Sequence, residues 1–352
     1  MPPPPPLGKT PILATSGDSV GSAHQEPPVA WQLAMKRAVR DPGELCRLLE
    51  LPGHFADSAR RSAGPFGLFV PREFLVRIGV GDPHDPLLRQ VLPRSEESDE
   101  IEGFVADPLH EASVTPTPGL LHKYHARALL VTTGACAVHC RYCFRRHFPY
   151  STAPRSTVAW RPALQYLADD SSIREVILSG GDPLTLVDPL LAELVGELEQ
   201  IPHLRRLRIH SRLPVVIPQR VNNSLLGWLQ STRLTAIFVI HVNHPQEIDA
   251  EVAAALGRLI DAGIPVLNQA VLLAGVNDDA TVLATLCERL IDLRVIPYYL
   301  HLLDRVAATA HFEVPEARAR GLAQQLSERL PGYAVPRLAR ETAGEASKTV
   351  LL

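Results

Sequence analysis

Three of the five cysteines, Cys136, Cys140 and Cys143, fall within eight residues in the loop GACAVHCRYCFRR. The C-x3-C-x2-C spacing puts three thiols on one tight loop, enough to hold three irons of a [4Fe–4S] cluster, which usually takes four cysteines. With no fourth cysteine nearby, one iron is left open to an outside ligand. A structural zinc site shows four Cys/His ligands. His139 is the one extra candidate, squeezed into the same loop. A CxxC redox pair would leave the third cysteine without a role. Cys46 and Cys287 sit in helix-like stretches and read as core filler. The odd total argues against a disulfide framework. The second scarce reagent is an amine. Of 35 basic residues 31 are arginine, and the four lysines are Lys9, Lys36, Lys123 and Lys348. Lys348 lies in the small-residue loop RETAGEASKT. A Schiff base with pyridoxal phosphate (PLP) needs such an unbulky approach, within a pocket. Lys9 sits in a proline-rich stretch and Lys36 on a polar helix face, which leaves Lys123 as the other candidate.

These groups need a scaffold. Apolar, β-branched runs recur at 128–133, 175–178, 204–209, 235–241, 264–269 and 295–303. Helix-period segments lie between them at 159–167, 189–200, 222–230, 247–262 and 279–293, and another follows at 315–330. Alternation of this kind implies parallel βαβ units. Six strands fall short of the eight-stranded closed barrel. The expected fold is α/β, a partial (β/α)6 barrel, with a doubly wound open sheet as the alternative. In either, ligands bind at the C-terminal ends of the strands, where the cysteine loop follows the first run.

Three regions are expected. Residues 1–30 hold eight prolines without apolar periodicity and read as a disordered tail. Residues 31–118 form an N-terminal accessory region, with two short helices split at Asp41-Pro42 and a helical piece at PREFLVRIG. Residues 119–352 form the barrel and the lysine-bearing C-terminal segment. The formal charge of −3 marks no nucleic-acid binder. No apolar run reaches the roughly 20 residues that span a bilayer, and the N-terminus is unlike a secretory signal. A cytoplasmic protein is expected.

The cysteine loop resembles the signature of the radical S-adenosylmethionine (SAM) superfamily, in which SAM chelates the open iron and is cleaved to a 5′-deoxyadenosyl radical. Tyr142, before the third cysteine, matches the position beside the adenine. The segment Ser179-Gly180-Gly181-Asp182, at the tip of the next strand, matches the one that contacts the SAM methionine amine. Glycines there would let backbone approach the ligand. From about residue 85 to Thr349 the chain resembles the lysine 2,3-aminomutase family, in particular its short bacterial form. That resemblance is carried by PGLLHKYHARALL, CRYCFRRHFPY, SGGDPL, RLRIHSRLPVVIPQR, NQAVLLAGVND, PYYLHLLD and GEASKT.

The resemblance implies an isomerase moving the α-amino group of L-lysine to C3, with a [4Fe–4S] cluster, SAM and PLP. It implies that Cys136, Cys140 and Cys143 ligate the cluster and that Lys348 carries PLP. Lys123, Tyr124 and Arg127 match the segment holding PLP, and Gln269 a position near SAM. Arg145 matches the arginine on the substrate carboxylate, which suits a bidentate guanidinium. Asp304 and Glu341 match two acids that hold the ε-ammonium. Two departures from the long fermentation-type members stand out: Glu341 replaces aspartate, and Asp279 occupies a zinc-ligating cysteine position, so no zinc is expected. The short form implies a functional link to elongation factor P and its lysine ligase, and a flavodoxin- or ferredoxin-like electron donor. The competing readings are an aminomutase for another amino acid, such as glutamate, and a non-enzymatic metal-binding or interaction module.

Overall fold

A computed structural model describes residues 30–150, 154 and 156–351. The tail expected over 1–30 therefore lies, except for Ala30, outside the described residues. Nine strands form one sheet: β1 (Leu120–Tyr124), β2 (Arg127–Thr133), β3 (Glu175–Gly180), β4 (Arg206–His210), β5 (Thr235–Ile240), β6 (Val266–Val271), β7 (Ile296–His301), β8 (Arg337–Arg340) and β9 (Thr349–Val350). Their order is linear, so the sheet does not close on itself. β2 to β8 run parallel, each to the next. β1 and β9 are antiparallel edges at the two ends.

Each of β2 to β7 is followed by one long helix: Thr157–Asp169, Asp188–Glu199, Asn223–Ser231, Ala250–Asp261, Ala280–Asp292 and Glu316–Arg329. This is the expected partial (β/α)6 barrel, and the six expected strands are all present. The structure adds β1, β8 and β9, which the sequence pattern did not reveal. β8 is four residues with a charged residue at each end, and β9 is two residues. Neither is long enough to show a period.

Side-chain alternation decides what faces the lumen. In β4, Leu207 and Ile209 are buried while Arg206, Arg208 and His210 alternate with them, as a period of two requires. Helix starts follow short polar caps. Asn222 accepts from the Leu225 amide at 2.9 Å and Asp249 from Val252 at 2.8 Å. Asp279 caps its helix by accepting from the amides of Thr281 and Val282. A cap satisfies amides that otherwise lack partners.

The helices Ala30–Lys36 and Pro42–Leu48 flank Asp41 as expected, and Arg72–Leu75 lies in PREFLVRIG. One helix, Gly53–Ser62, is additional to those expected in this region. It buries only Ala56 and Ala59, so its apolar stripe is too thin to read from sequence. Trp31, Leu45, Phe74 and Leu88 share one apolar core with the barrel helices. Cys46 and Cys287 are buried within the hydrophobic cores. Among the described residues, no helix is long and apolar enough to cross a membrane.

Candidate active site

The cysteine loop follows β2 and is fastened from below by the N-terminal region. The Arg141 amide donates to the Gln90 carbonyl and the His139 amide to Phe69. The Arg141 guanidinium is fully buried on Glu97, with Nε to Oε1 at 2.8 Å, and Arg146 reaches the same carboxylate at 2.7 Å. His139, the spare ligand candidate, stacks on Phe66 and meets the Gly67 carbonyl at 3.0 Å. It is engaged by the N-terminal region.

The three thiols are neighbours. Burial pushes the Cys143 thiol up to about 11, and the charge of Cys140 adds to it. Cys136 is raised by burial and then by Cys143. Arg212 donates from Nη1 to the Cys140 sulfur at 2.7 Å. Its Nη2 is held by Gln90 at 2.7 Å and Glu247 at 2.9 Å. Among the described residues, no three His, Cys, Asp or Glu side chains converge as ligands of a single metal ion. Three adjacent sulfurs on one loop could hold three irons of an iron–sulfur cluster. A bound cluster would deprotonate them outright.

At the tip of β3 the glycines answer to backbone crowding. A Cβ on Gly180, at φ +122°, would meet the Thr133 carbonyl at 2.5 Å, and one on Gly181 the Ala135 carbonyl at 2.3 Å. The close approach that requires glycine is therefore to the β2 loop. Asp182 accepts from Ser211 Oγ and Arg212 N, both at 2.8 Å, and from the amides of Leu184 and Leu213. It staples the β3 loop to the β4 loop. Burial lifts its carboxyl to about 6 against these four donors. Ser179 accepts from Arg145 at 3.3 Å. Tyr142 lies edge-on to Phe312 with the Arg212 guanidinium over its ring. Gln269, on β6, is buried.

The lysine end is set by strand register. Arg340 pairs with Thr349 across β8 and β9. The next positions outward, Glu341 and Lys348, therefore face each other. Lys348 Nζ contacts Glu341 Oε2 and lies 5.9 Å from the centre of the Tyr299 ring. Two groups from β1 meet the other carboxylate oxygen, Lys123 at 3.1 Å and Tyr124 at 2.9 Å. Burial alone would raise the Glu341 carboxyl. Lys348 and Lys123, with the Tyr124 hydroxyl, override it and hold Glu341 at about 2. Arg127 stacks over the Tyr124 ring at 4.6 Å. Asp304 is driven the other way, to about 7, by burial and by Glu341.

Sequence reading singled out neither the carboxylate on Arg145 nor the histidines of the lumen. Glu111 grips the Arg145 guanidinium in bidentate fashion, at 2.9 Å to Nε and 2.6 Å to Nη2. His210, His241 and His301 sit at or just past the C-terminal ends of β4, β5 and β7. Burial keeps all three neutral, His241 down at about 4, and Lys348 disfavours their charged forms further. Their place at strand ends was the available signal.

No family model matches the chain. Whole-length relatives do. An L-lysine 2,3-aminomutase of Haemophilus influenzae is 47% identical, covering 91% of this chain and 95% of its own. One of Escherichia coli is 48% identical, covering 91% and 94%. The chain belongs to the lysine 2,3-aminomutase family. A Clostridium subterminale L-lysine 2,3-aminomutase is 33% identical and is covered over only 77% of its longer length, so the short bacterial form of the family is the match. A solved radical SAM methyltransferase from Sphaerobacter thermophilus aligns over 63% of this chain and 68% of its own, at 17% identity and a TM-score of 0.44. As a member of the lysine 2,3-aminomutase family, the chain is an isomerase.

Proposed function

We propose that the chain converts L-lysine to β-lysine by moving the amino group from C2 to C3. In this reading Cys136, Cys140 and Cys143 hold a [4Fe–4S] cluster. SAM lies against Tyr142, the Ser179–Asp182 turn and Gln269. PLP is carried on Lys348 beside Lys123, Tyr124 and Arg127. When bound, the cluster and SAM supply the hydrogen-abstracting radical, and PLP supplies the imine that carries nitrogen.

One observation carries the substrate assignment. The site has two half-buried acids, Asp304 and Glu341, that act on each other electrostatically, and a separate buried guanidinium, Arg145. Glu341 already holds a lysine ammonium, that of Lys348, and Arg145 already holds a carboxylate, that of Glu111. A lysine zwitterion carries the charges that answer both. A glutamate substrate would set its side-chain carboxylate against Asp304 and Glu341.

The protein's own groups orient and exclude. Asp304, anionic above about pH 7, would serve as a counter-charge to the substrate ε-ammonium. The neutral histidines line the lumen without adding cations that would repel the substrate ammonium. Tight placement limits what a primary radical can reach.

The use of β-lysine in modifying elongation factor P, together with its lysine ligase, a flavodoxin- or ferredoxin-like donor and a cytoplasmic setting, is part of the same proposal and rests on family resemblance. The test is anaerobic reconstitution with iron, sulfide and PLP, then SAM, reductant and L-lysine, with chiral amino-acid analysis. β-Lysine is the expected product. SAM cleavage without β-lysine would keep the radical core and discard the substrate reading.

A further inference from the structure

Glu111 sits on a strap beside the cysteine loop, where it meets Arg145. The strap is tied at one end by Val105, which bridges Val306, and at the other by Thr117, which bridges Leu120. Between these ties it is a self-contained turn. Asp107 accepts from the amides of Glu111 and Ala112, the Ser113 hydroxyl bonds the His110 carbonyl, and His110 takes φ +53°. Such a turn can move as a unit on its two ties. It overlies a cavity of about 480 Å3, lined by Leu109, Glu111 and Pro116 on the strap and by Phe144, Arg145 and Phe148 beside the cysteine loop.

The Arg145 and Glu111 side chains are only 8% and 12% exposed. A buried guanidinium left without a counter-charge is strongly unfavourable. Any ligand that dislodges Glu111 must therefore bring a carboxylate of its own. The charge of Glu111 also helps to raise the Asp304 carboxyl.

We propose that Glu111 is a specificity-determining residue. Its carboxylate holds the Arg145 seat until the α-carboxylate of an incoming amino acid replaces it, and that exchange releases the strap. This rests on the reading that Arg145 takes the substrate carboxylate. Amines without a carboxylate cannot make the exchange, so they leave the strap closed. The cost of displacing Glu111 weakens lysine binding by the fraction of time the seat is free.

The holoenzyme tests this with three variants. Glu111→Gln and Glu111→Ala should lower the KM for L-lysine by about tenfold, because the competing carboxylate is gone. Arg145→Met should raise it. In the wild type, L-lysine should speed amide hydrogen exchange over 105–118, and cadaverine, which has no carboxylate, should not. An unchanged KM in Arg145→Met would mean that the carboxylate seat itself is misassigned. If Arg145→Met raises KM and the Glu111 variants raise it too, Glu111 merely orients the arginine and the inference fails. Strap exchange that does not respond to lysine, or that cadaverine also releases, overturns it as well.

Discussion

The two ends of the lumen are built differently. Around the cysteines, charge is buried and paired from several directions. Glu97 receives Arg141 and Arg146, Glu247 receives Arg212, and Asp182 receives four donors from two loops. Around Lys348, the chain from 342 to 350 is mostly exposed, and a two-residue strand and the Glu341 contacts hold it. Buried ion pairs fix a geometry because any displacement strands a charge. A short edge strand does not. The contrast suits the proposed chemistry. A cluster must stay where it is, whereas an amine that carries PLP must release it when the substrate amine arrives.

That contrast can be broken at either end. The largest effect is expected from Cys140→Ala, which should lose the iron–sulfur absorbance and all SAM cleavage. Surviving cleavage would remove the radical reading altogether. Next, Lys348→Ala should keep iron but lose the borohydride-trappable PLP adduct and turnover. An adduct that persists would move the anchor to Lys123. Glu97→Gln leaves Arg141 and Arg146 without their shared counter-charge, and should lower the stability of the apoprotein by about 3–5 kcal/mol in urea unfolding. A loss below about 1 kcal/mol would show that the cysteine end is not locked by this carboxylate.

At the lysine end the effects are gentler. The Asp304 carboxyl is raised to about 7, so it is protonated and neutral below that pH and anionic above it. The KM for lysine should therefore fall severalfold as pH rises through about 7, and Asp304→Asn should flatten the profile. A profile unaffected by Asp304→Asn would assign the dependence to another group. The smallest effect is expected from Gly344→Ala. Gly344 has φ +81° with open space around it, so alanine adds strain of about 1 kcal/mol without a clash. Amide exchange over 342–350 should quicken while the unfolding temperature barely moves. A large drop in that temperature would show the segment to be integral to the fold.

Much of this was legible beforehand. The apolar, β-branched runs alternating with helical-period segments foretold six parallel strands and their helices, because such runs must be buried. The cysteine spacing and the rarity of lysine singled out the thiols and the amine proposed to react without any structure. The short strands β8 and β9 were not legible, yet their register sets Lys348 opposite Glu341. The glycines at 180 and 181 were read as room for a ligand, and the structure shows what they avoid, the carbonyls of Thr133 and Ala135.

What the sequence determined by itself is the local inventory: three thiols on one loop, one amine in a loop of small residues, and apolar strand runs alternating with helices. These follow from spacing and periodicity, which are properties of neighbouring residues. Only the tertiary structure decided which charges meet. Glu111 lies 34 residues from Arg145, and Lys123 lies 218 from Glu341. Such pairs form because burial makes an unpaired charge too costly, and which residues are buried together depends on how the whole chain packs.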